Sequence, residues 1–493
     1  MLKPIVKELG VTEGERYLAK LANSTFVGMW SYPGVYRDEG VSKNGVGQET
    51  ADLLVVFDNT VIIFSEKDIS FNRDVDIKVA WPRWCRKAIY ESIGQLRGSE
   101  AFIRKFPNRL FLDKKCKEPF PLDISSSSLQ VHLVAVTRNS AVPCKQYFDS
   151  VKPGSSQSLA FQFGLSKEDV LSHPFFITDF DPQKTFVHVL DDYTLDLLME
   201  ELDTVTDFVH YLQEKESAIR KGGLFSIPGE EEFLAYYIND RAPNGYGQFL
   251  QEQVRVPGHV TALYEGQWNN FTHSLDYALH KQLKIDSQPW LELLSRFSDS
   301  VLEADVAEEG VNVPFLTHER ALRCLASENR LSRALLSRQL IEKRNTVPSN
   351  ARSARLVGSI CYSTRLYIFL LFPWKVGEIE YDEYRRERLA CMHCYALVAK
   401  YKHNQYAEII VLGLDSKGTG IVSETVVAFD TSKELSSDEK VNAQYLMTTM
   451  EVLTMTRQQR PVDVANGRDG PRPGRNELCT CGSGKKSKRC CFR

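Results

Sequence analysis

Residues 47–68, GQETADLLVVFDNTVIIFSEKD, set two acids and a lysine at the open end of what reads as a β-hairpin. Two apolar runs flank Asp58-Asn59-Thr60, turn chemistry suited to reversing the chain. With the turn centred on Asn59, Phe57 faces Val61 and Asp52 faces Glu66. Directly opposed residues share a face with Cβ atoms about 5 Å apart, close enough for two carboxylates to bind one metal ion. A hairpin apolar on both faces is buried, and an unpaired Asp and Glu at its open end are costly there without a cation. Mg²⁺ held by Asp52 and Glu66 answers that cost. The metal would acidify a water and neutralise a phosphate, while Lys67 oriented the nucleophile or stabilised developing charge. These are the parts of a phosphodiester hydrolase. Because Glu66 adjoins Lys67 and Ser65 stands two before it, both reach one ion only if a bulge or the strand end re-aims one of them. Glu49, three before Asp52, is a substitute ligand. The plainer alternative is a surface hairpin with solvated ends.

A second chemistry lies in the tail. Cys479, Cys481, Cys490 and Cys491 run C-x-C, eight residues, C-C, which puts four thiolates within thirteen residues. Four sulfurs close a tetrahedral structural Zn²⁺ site with no open position. Gly482-Ser483-Gly484 lets the backbone turn back toward the metal, and Lys485, Lys486, Lys488 and Arg489 offset the charge of the thiolate cluster. The other seven of the eleven cysteines are mostly isolated and suit reduced core thiols. Cys391 and Cys394, with His393 between them, form a lone C-x-x-C without a second pair, so a core role is favoured over a metal half-site.

These groups need elements to position them. Residues 11–25 have Tyr17, Leu18, Leu21 and Ala22 at helical spacing, and the hairpin 52–67 follows. A helix over 84–104, strands over 129–136 and 185–190 and a helix over 194–215 complete an α/β core. The pattern is mainly helical over 222–347; strands at 355–361 and 365–372, a helix over 381–402 and a strand over 407–414 then form a second α/β unit. Residues 457–475, with three prolines and three glycines, read as a flexible linker. The expected fold class is mixed α/β, divided as a first α/β domain over 1–216, a helical region over 217–350, a second α/β domain over 351–456, the linker and a zinc-binding tail over 476–493.

Composition narrows the class. The chain has 493 residues, 43% hydrophobic and 25% charged, so a disordered polymer is excluded. The longest strongly apolar run, 366–374, has nine residues, far short of the roughly 20 that cross a bilayer. A cytoplasmic protein with no membrane partner is expected. Net charge is −3, but residues 467–493 hold eight Lys or Arg against two acids. A second basic stretch, 81–117, holds ten against three. Within it Arg83, Arg86, Lys87, Arg97, Arg104 and Lys105, interleaved with Trp81, Trp84 and Phe106, suit phosphate neutralisation and base stacking; a solvated helix face is the alternative.

Over residues 474–491 the tail resembles the SEC-C motif, through Gly474, Arg475, Asn476, the four cysteines and the basic run. The resemblance implies a zinc module that docks a protein partner or nucleic acid, without catalysis. No G-x-x-x-x-G-K-[ST] loop accompanies it, so a motor is excluded. Residues 10–140 resemble the PD-(D/E)XK nuclease superfamily, whose pattern is a helical Glu, an Asp at a strand start, an acid-x-Lys strand and a helix often bearing Gln. The resemblance implies a restriction-endonuclease-like core and catalytic roles for Glu15, Asp52, Glu66, Lys67 and Gln95. The expected activity is Mg²⁺-dependent nucleic-acid hydrolysis. Its rival is a non-catalytic adaptor on an inactive nuclease-like scaffold, favoured by Ser65 in the acid's place.

Overall fold

The computed structural model describes residues 2–249, 260–306, 312–374, 377–415 and 424–454. The linker and the cysteine tail lie outside the described residues. The fold is mixed α/β, with three sheets among the described residues.

The chain opens with helix α1 (Glu13–Trp30), started by a capping box in which Thr12 Oγ1 accepts from the Glu15 N–H and the Glu15 carboxylate returns to the Thr12 N–H. Strands β1 (Ser31–Arg37), β2 (Gln48–Phe57) and β3 (Thr60–Lys67) follow as an antiparallel meander. Helices α2 (Ile77–Cys85) and α3 (Glu91–Lys105), joined through a π-helical turn over Arg86–Tyr90, cross back. After the short strand β4 (Leu110–Phe111), strand β5 (Gln130–Thr137) lies parallel to β3. Two short strands, β6 (Ala160–Gln162) and β7 (Phe176–Ile177), precede β8 (Val187–Leu190), which lies parallel to β5. The six-stranded order is β4-β1-β2-β3-β5-β8. The Val-rich and Ile-rich runs of β3 and β5 are buried on both faces, as central parallel strands are. Phe26 of α1 meets Phe64 with ring centroids 6.3 Å apart, whereas Gln95 of α3 meets Ser65. Neighbouring strand residues point oppositely, so α1 and α3 cover opposite faces of the sheet.

The helix expected over 194–215 is two, α4 (Asp192–Glu201) and α5 (Val205–Arg220), because Thr204 turns extended and caps the second by accepting from the Asp207 N–H. The middle region is less uniformly helical than its pattern suggests. Strands β9 (Leu224–Ile227) and β10 (Thr261–Ala262) join β6 and β7 in a small sheet. The longer helices described there are α6 (Glu230–Asn239), α7 (Leu275–Leu302), α8 (Phe315–Ala326) and α9 (Arg330–Thr346), with a six-residue helix over Gln267–Thr272 before α7.

The third sheet, in the order β11 (Ser353–Gly358), β12 (Arg365–Phe372), β13 (Glu408–Asp415) and β14 (Glu424–Asp430), has β12 and β13 parallel, connected by helix α10 (Tyr381–Lys402). Helix α11 (Ser437–Thr449) packs beside α10. The layer α7 to α9 joins the two large sheets. The Trp30 indole donates to Glu319 at 2.8 Å on one side, and Trp290 packs edge-on to Tyr367, 5.6 Å away, on the other. Arg365 of β12 reaches into this layer, donating to the Cys324 carbonyl, Ser327, Glu328 and Glu408. Cys391 and Cys394 sit on α10, and all seven described cysteines are free thiols. Among the described residues no helix is long and apolar enough to cross a membrane.

Candidate active site

The β2–β3 turn is the two-residue Asp58-Asn59, with Asp58 at φ +53°, a conformation whose twist suits a tight hairpin. The ladder therefore pairs Phe57 with Thr60 and Leu53 with Phe64, one residue away from the register expected of a turn centred on Asn59. A one-residue shift sends side chains to the other face. Asp52 stands against Ser65 and shares a face with Ser65 and Lys67, while Glu66 points to the α1 side.

There the Glu66 carboxylate is buried and accepts from Arg138 Nε at 2.9 Å. A side chain at Gly14 would collide with it. The Arg138 guanidinium lies over the Tyr17 ring at 5.2 Å, and the Tyr17 hydroxyl donates to Asp196 at 2.9 Å. Glu66 meets Asp52 through the backbone, its N–H donating to Asp52 Oδ2 at 2.5 Å. The expected carboxylate pair of Asp52 and Glu66 thus does not converge, because the register separates them and Arg138 takes the second acid.

A different acid joins Asp52. Val35 pairs with Ala51 and Tyr36 with Glu49, leaving Thr50 as a bulge in β2. Without it Glu49 and Asp52, three apart, would face oppositely; with it they share a face. The Ser99 hydroxyl of α3 donates to the Thr50 carbonyl and pins the bulge. The spacing alone hides this partnership, since a bulge has no residue signature here beyond the odd interval between two acids.

Both acids open into a cleft of about 800 Å³ between the sheet, the start of α1 and one face of α3. Glu15, Asp52, Glu66, Lys67 and Gln95 all line it, together with Arg37, Glu49 and Glu91. Gln95 Oε1 accepts from the Ser65 hydroxyl at 3.2 Å. Glu15 holds its capping role, accepting from the Val11 N–H at 2.6 Å. Burial, then the charges of Asp52 and Glu15, push the Glu49 carboxyl up to about 7, against the pull of Lys114 and Lys67. Burial raises Asp52 to about 6, opposed by the Glu66 N–H and by Lys67. Among the described residues no three His, Cys, Asp or Glu side chains form a group that could hold a metal ion. Two carboxylates with waters are nonetheless a set that Mg²⁺ accepts; their raised proton affinity comes first from burial and only then from neighbouring acids.

The basic stretch divides. Arg83, Arg86, Lys87 and Lys105 are exposed, but Arg97 is paired with Asp181 at 3.7 Å and Arg104 with Glu100 at 2.9 Å. Trp81 and Trp84 are core residues, their indoles donating to the Val170 and Ile69 carbonyls, so neither offers a face to a base. Their spacing marked the buried side of a helix.

Comparison with known proteins adds one match. The SEC-C motif matches residues 475–493, the segment that holds Cys479, Cys481, Cys490 and Cys491. No curated protein and no solved structure matches the chain.

Proposed function

We propose that this chain is a divalent-metal-dependent nuclease of PD-(D/E)XK type, with the metal held by Glu49 and Asp52 and a SEC-C tail that binds Zn²⁺ and docks a partner. The observation that carries this reading is the placement of Glu49, Asp52 and Lys67 on one face of a mixed sheet inside a single cleft. Helix α1 with Glu15, strand β2 with Asp52, strand β3 with Lys67 and helix α3 with Gln95 follow one another in the order of the family pattern, which supports this reading. Mg²⁺ bound there would supply an acidified water and neutralise a phosphate. Lys67, on the face of Asp52, stabilises charge developing on the phosphate oxygens. The Ser65 hydroxyl and Gln95 fix the floor of the cleft, and the Glu66 N–H orients the Asp52 carboxylate. Glu66 and Arg138 are positioning residues in this scheme.

Purified full-length protein is to be tested on plasmid and single-stranded DNA and RNA with Mg²⁺ or Mn²⁺. Cleavage is expected, with losses of 10²-fold or more in Asp52→Ala and Lys67→Ala. Undiminished cleavage in both variants would remove this site from consideration.

A second reading, a non-catalytic adaptor that binds nucleic acid or protein, is favoured by Ser65 in the acid's place and by the commitment of Glu66 to Arg138. Binding without hydrolysis under any divalent metal would select it.

A further inference from the structure

The cleft is flanked by a structure that the acids do not explain. Residue Arg37 of β1 pairs with Leu110 and Tyr36 with Phe111, adding β4 to the sheet edge. The chain returns at once: the Leu112 N–H donates to the Glu118 carbonyl at 2.8 Å and the Phe120 N–H to the Leu110 carbonyl at 2.9 Å. This hairpin carries Asp113-Lys114-Lys115-Cys116-Lys117 at its tip. Asp113 winds the tip by accepting from the N–H groups of Lys115 and Lys117, each at 2.8 Å, and of Glu118 at 2.7 Å. The Gly47 N–H donates to the Lys114 carbonyl at 2.8 Å, which ties the tip to the chain two residues before Glu49. A Cβ at Gly47 would sit 2.5 Å from Cys116 Sγ, so only glycine permits the contact.

Lys114 is near enough to lower the proton affinity of Glu49. Lys114, Lys115 and Lys117 are exposed, and among the described residues none is in an ion pair, unlike Arg97, Arg104 and Arg109. Three exposed ammonium groups on a fixed tip, with only Asp113 beside Lys117 and Glu49 facing Lys114, form a run of positive potential next to the exposed Glu49 and the half-buried Asp52. A mononucleotide at the acids would not cover it. A polymer of phosphates would.

Resting on the nuclease reading of the cleft, we propose that this hairpin is the substrate guide, holding the phosphate backbone of a nucleic-acid strand as it leaves the cleft. The substrate is then a polynucleotide, and length is recognised through charge at the tip.

The test measures equilibrium binding of full-length protein, in Ca²⁺, to a labelled single strand of about 20 nucleotides and to its duplex across a salt series. The triple variant Lys114→Gln, Lys115→Gln, Lys117→Gln should bind more weakly than wild type. The slope of log K against log salt should be shallower by about 2 to 3, from 0.7 to 0.9 per lost contact. The triple Lys→Arg variant should keep both affinity and slope. A dinucleotide should bind wild type and variant alike. Equal affinity and slope in the Gln variant, with an unchanged thermal transition, would overturn the guide, as would equal competition by polyglutamate of matched length. If the hairpin binds as described while no divalent metal yields cleavage, the guide stands and the nuclease reading falls. If Mg²⁺ or Mn²⁺ yields cleavage that the Gln variant retains at every salt concentration, the nuclease reading stands and the guide falls.

Discussion

In the proposed metal site, Glu49 and Asp52 set opposite demands on folding and on cation binding. In the metal-free protein both carboxyls keep their protons to higher pH than in the unfolded chain, Glu49 to about 7 and Asp52 to about 6. The folded state therefore binds more protons between roughly pH 4 and 7, and the pair's contribution to stability falls as pH rises through that window. Above pH 7 the pair is ionised and ready for a cation. Asp52→Asn is expected to stabilise the metal-free protein at pH 8 by about 1 kcal/mol after allowance for partial solvation, and to abolish the stabilisation given by Mn²⁺. Thermal melts at pH 5 and pH 8, with and without Mn²⁺, check this: a melting temperature for Asp52→Asn below wild type in metal-free buffer at pH 8 would contradict it. At this scale Asp52 and Lys67 were legible as residues that could do chemistry, because their types and the hairpin around them were on the surface of the pattern. The acid partner was not. It depended on a turn closing one residue earlier and on a bulge, and both are decided by tertiary contacts, through the twist of the strands and the hold of Ser99 on Thr50.

Strands β5 and β8 carry a second titration with the opposite sign. His132 and His188 are buried on them with ring centroids 6.4 Å apart. Burial pulls His132 down to about 4 and His188 well below its ordinary value, the latter helped by Lys215, His132 and Arg220. Both rings are neutral in the fold and gain protons on unfolding, so their contribution is lost as pH falls from about 6.5 toward 4. His188→Phe should flatten the acid limb of the stability curve over that range, measured by urea denaturation at pH 7 and pH 4.5; an unchanged difference between the two pH values would refute the assignment. Several of the longer elements were readable from periodicity, whereas the seven-residue strands β1 and β14 and helix α11 were not read from it. The helix over 381–402 matches α10 at both ends, and β12 matches its apolar run. The two-residue strand β10 and the strand β9 were missed, since such short pieces exist by pairing and not by their own pattern.

Across the whole molecule, the core runs from α1 through the first sheet and the middle helices to one face of β12 and β13. The second face of that sheet packs separately against α10 and α11. If the SEC-C segment binds zinc as proposed, its few apolar residues beyond the four cysteines would leave its fold dependent on the metal. Cys479→Ser or a strong chelator is expected to remove one zinc per chain, counted by metal analysis, and to leave the main thermal transition in place. Cleavage of a short oligonucleotide in excess Mg²⁺ should continue. Loss of that cleavage with zinc would show that the tail belongs to the active body.

The unpaired Thr50 has a consequence for how this cleft tolerates change in chain length. Bulges count residues modulo two. Deleting Thr50 would leave Glu49 and Asp52 two apart on a regular strand, still on the same side and still beside the lysine. Inserting a residue between Ala51 and Asp52 while Ser99 still holds the Thr50 bulge would instead send the acids to opposite sides, with no change in composition around them. The strand is thus asymmetric toward editing: the shortened frame preserves the pair, and the lengthened one dissolves it.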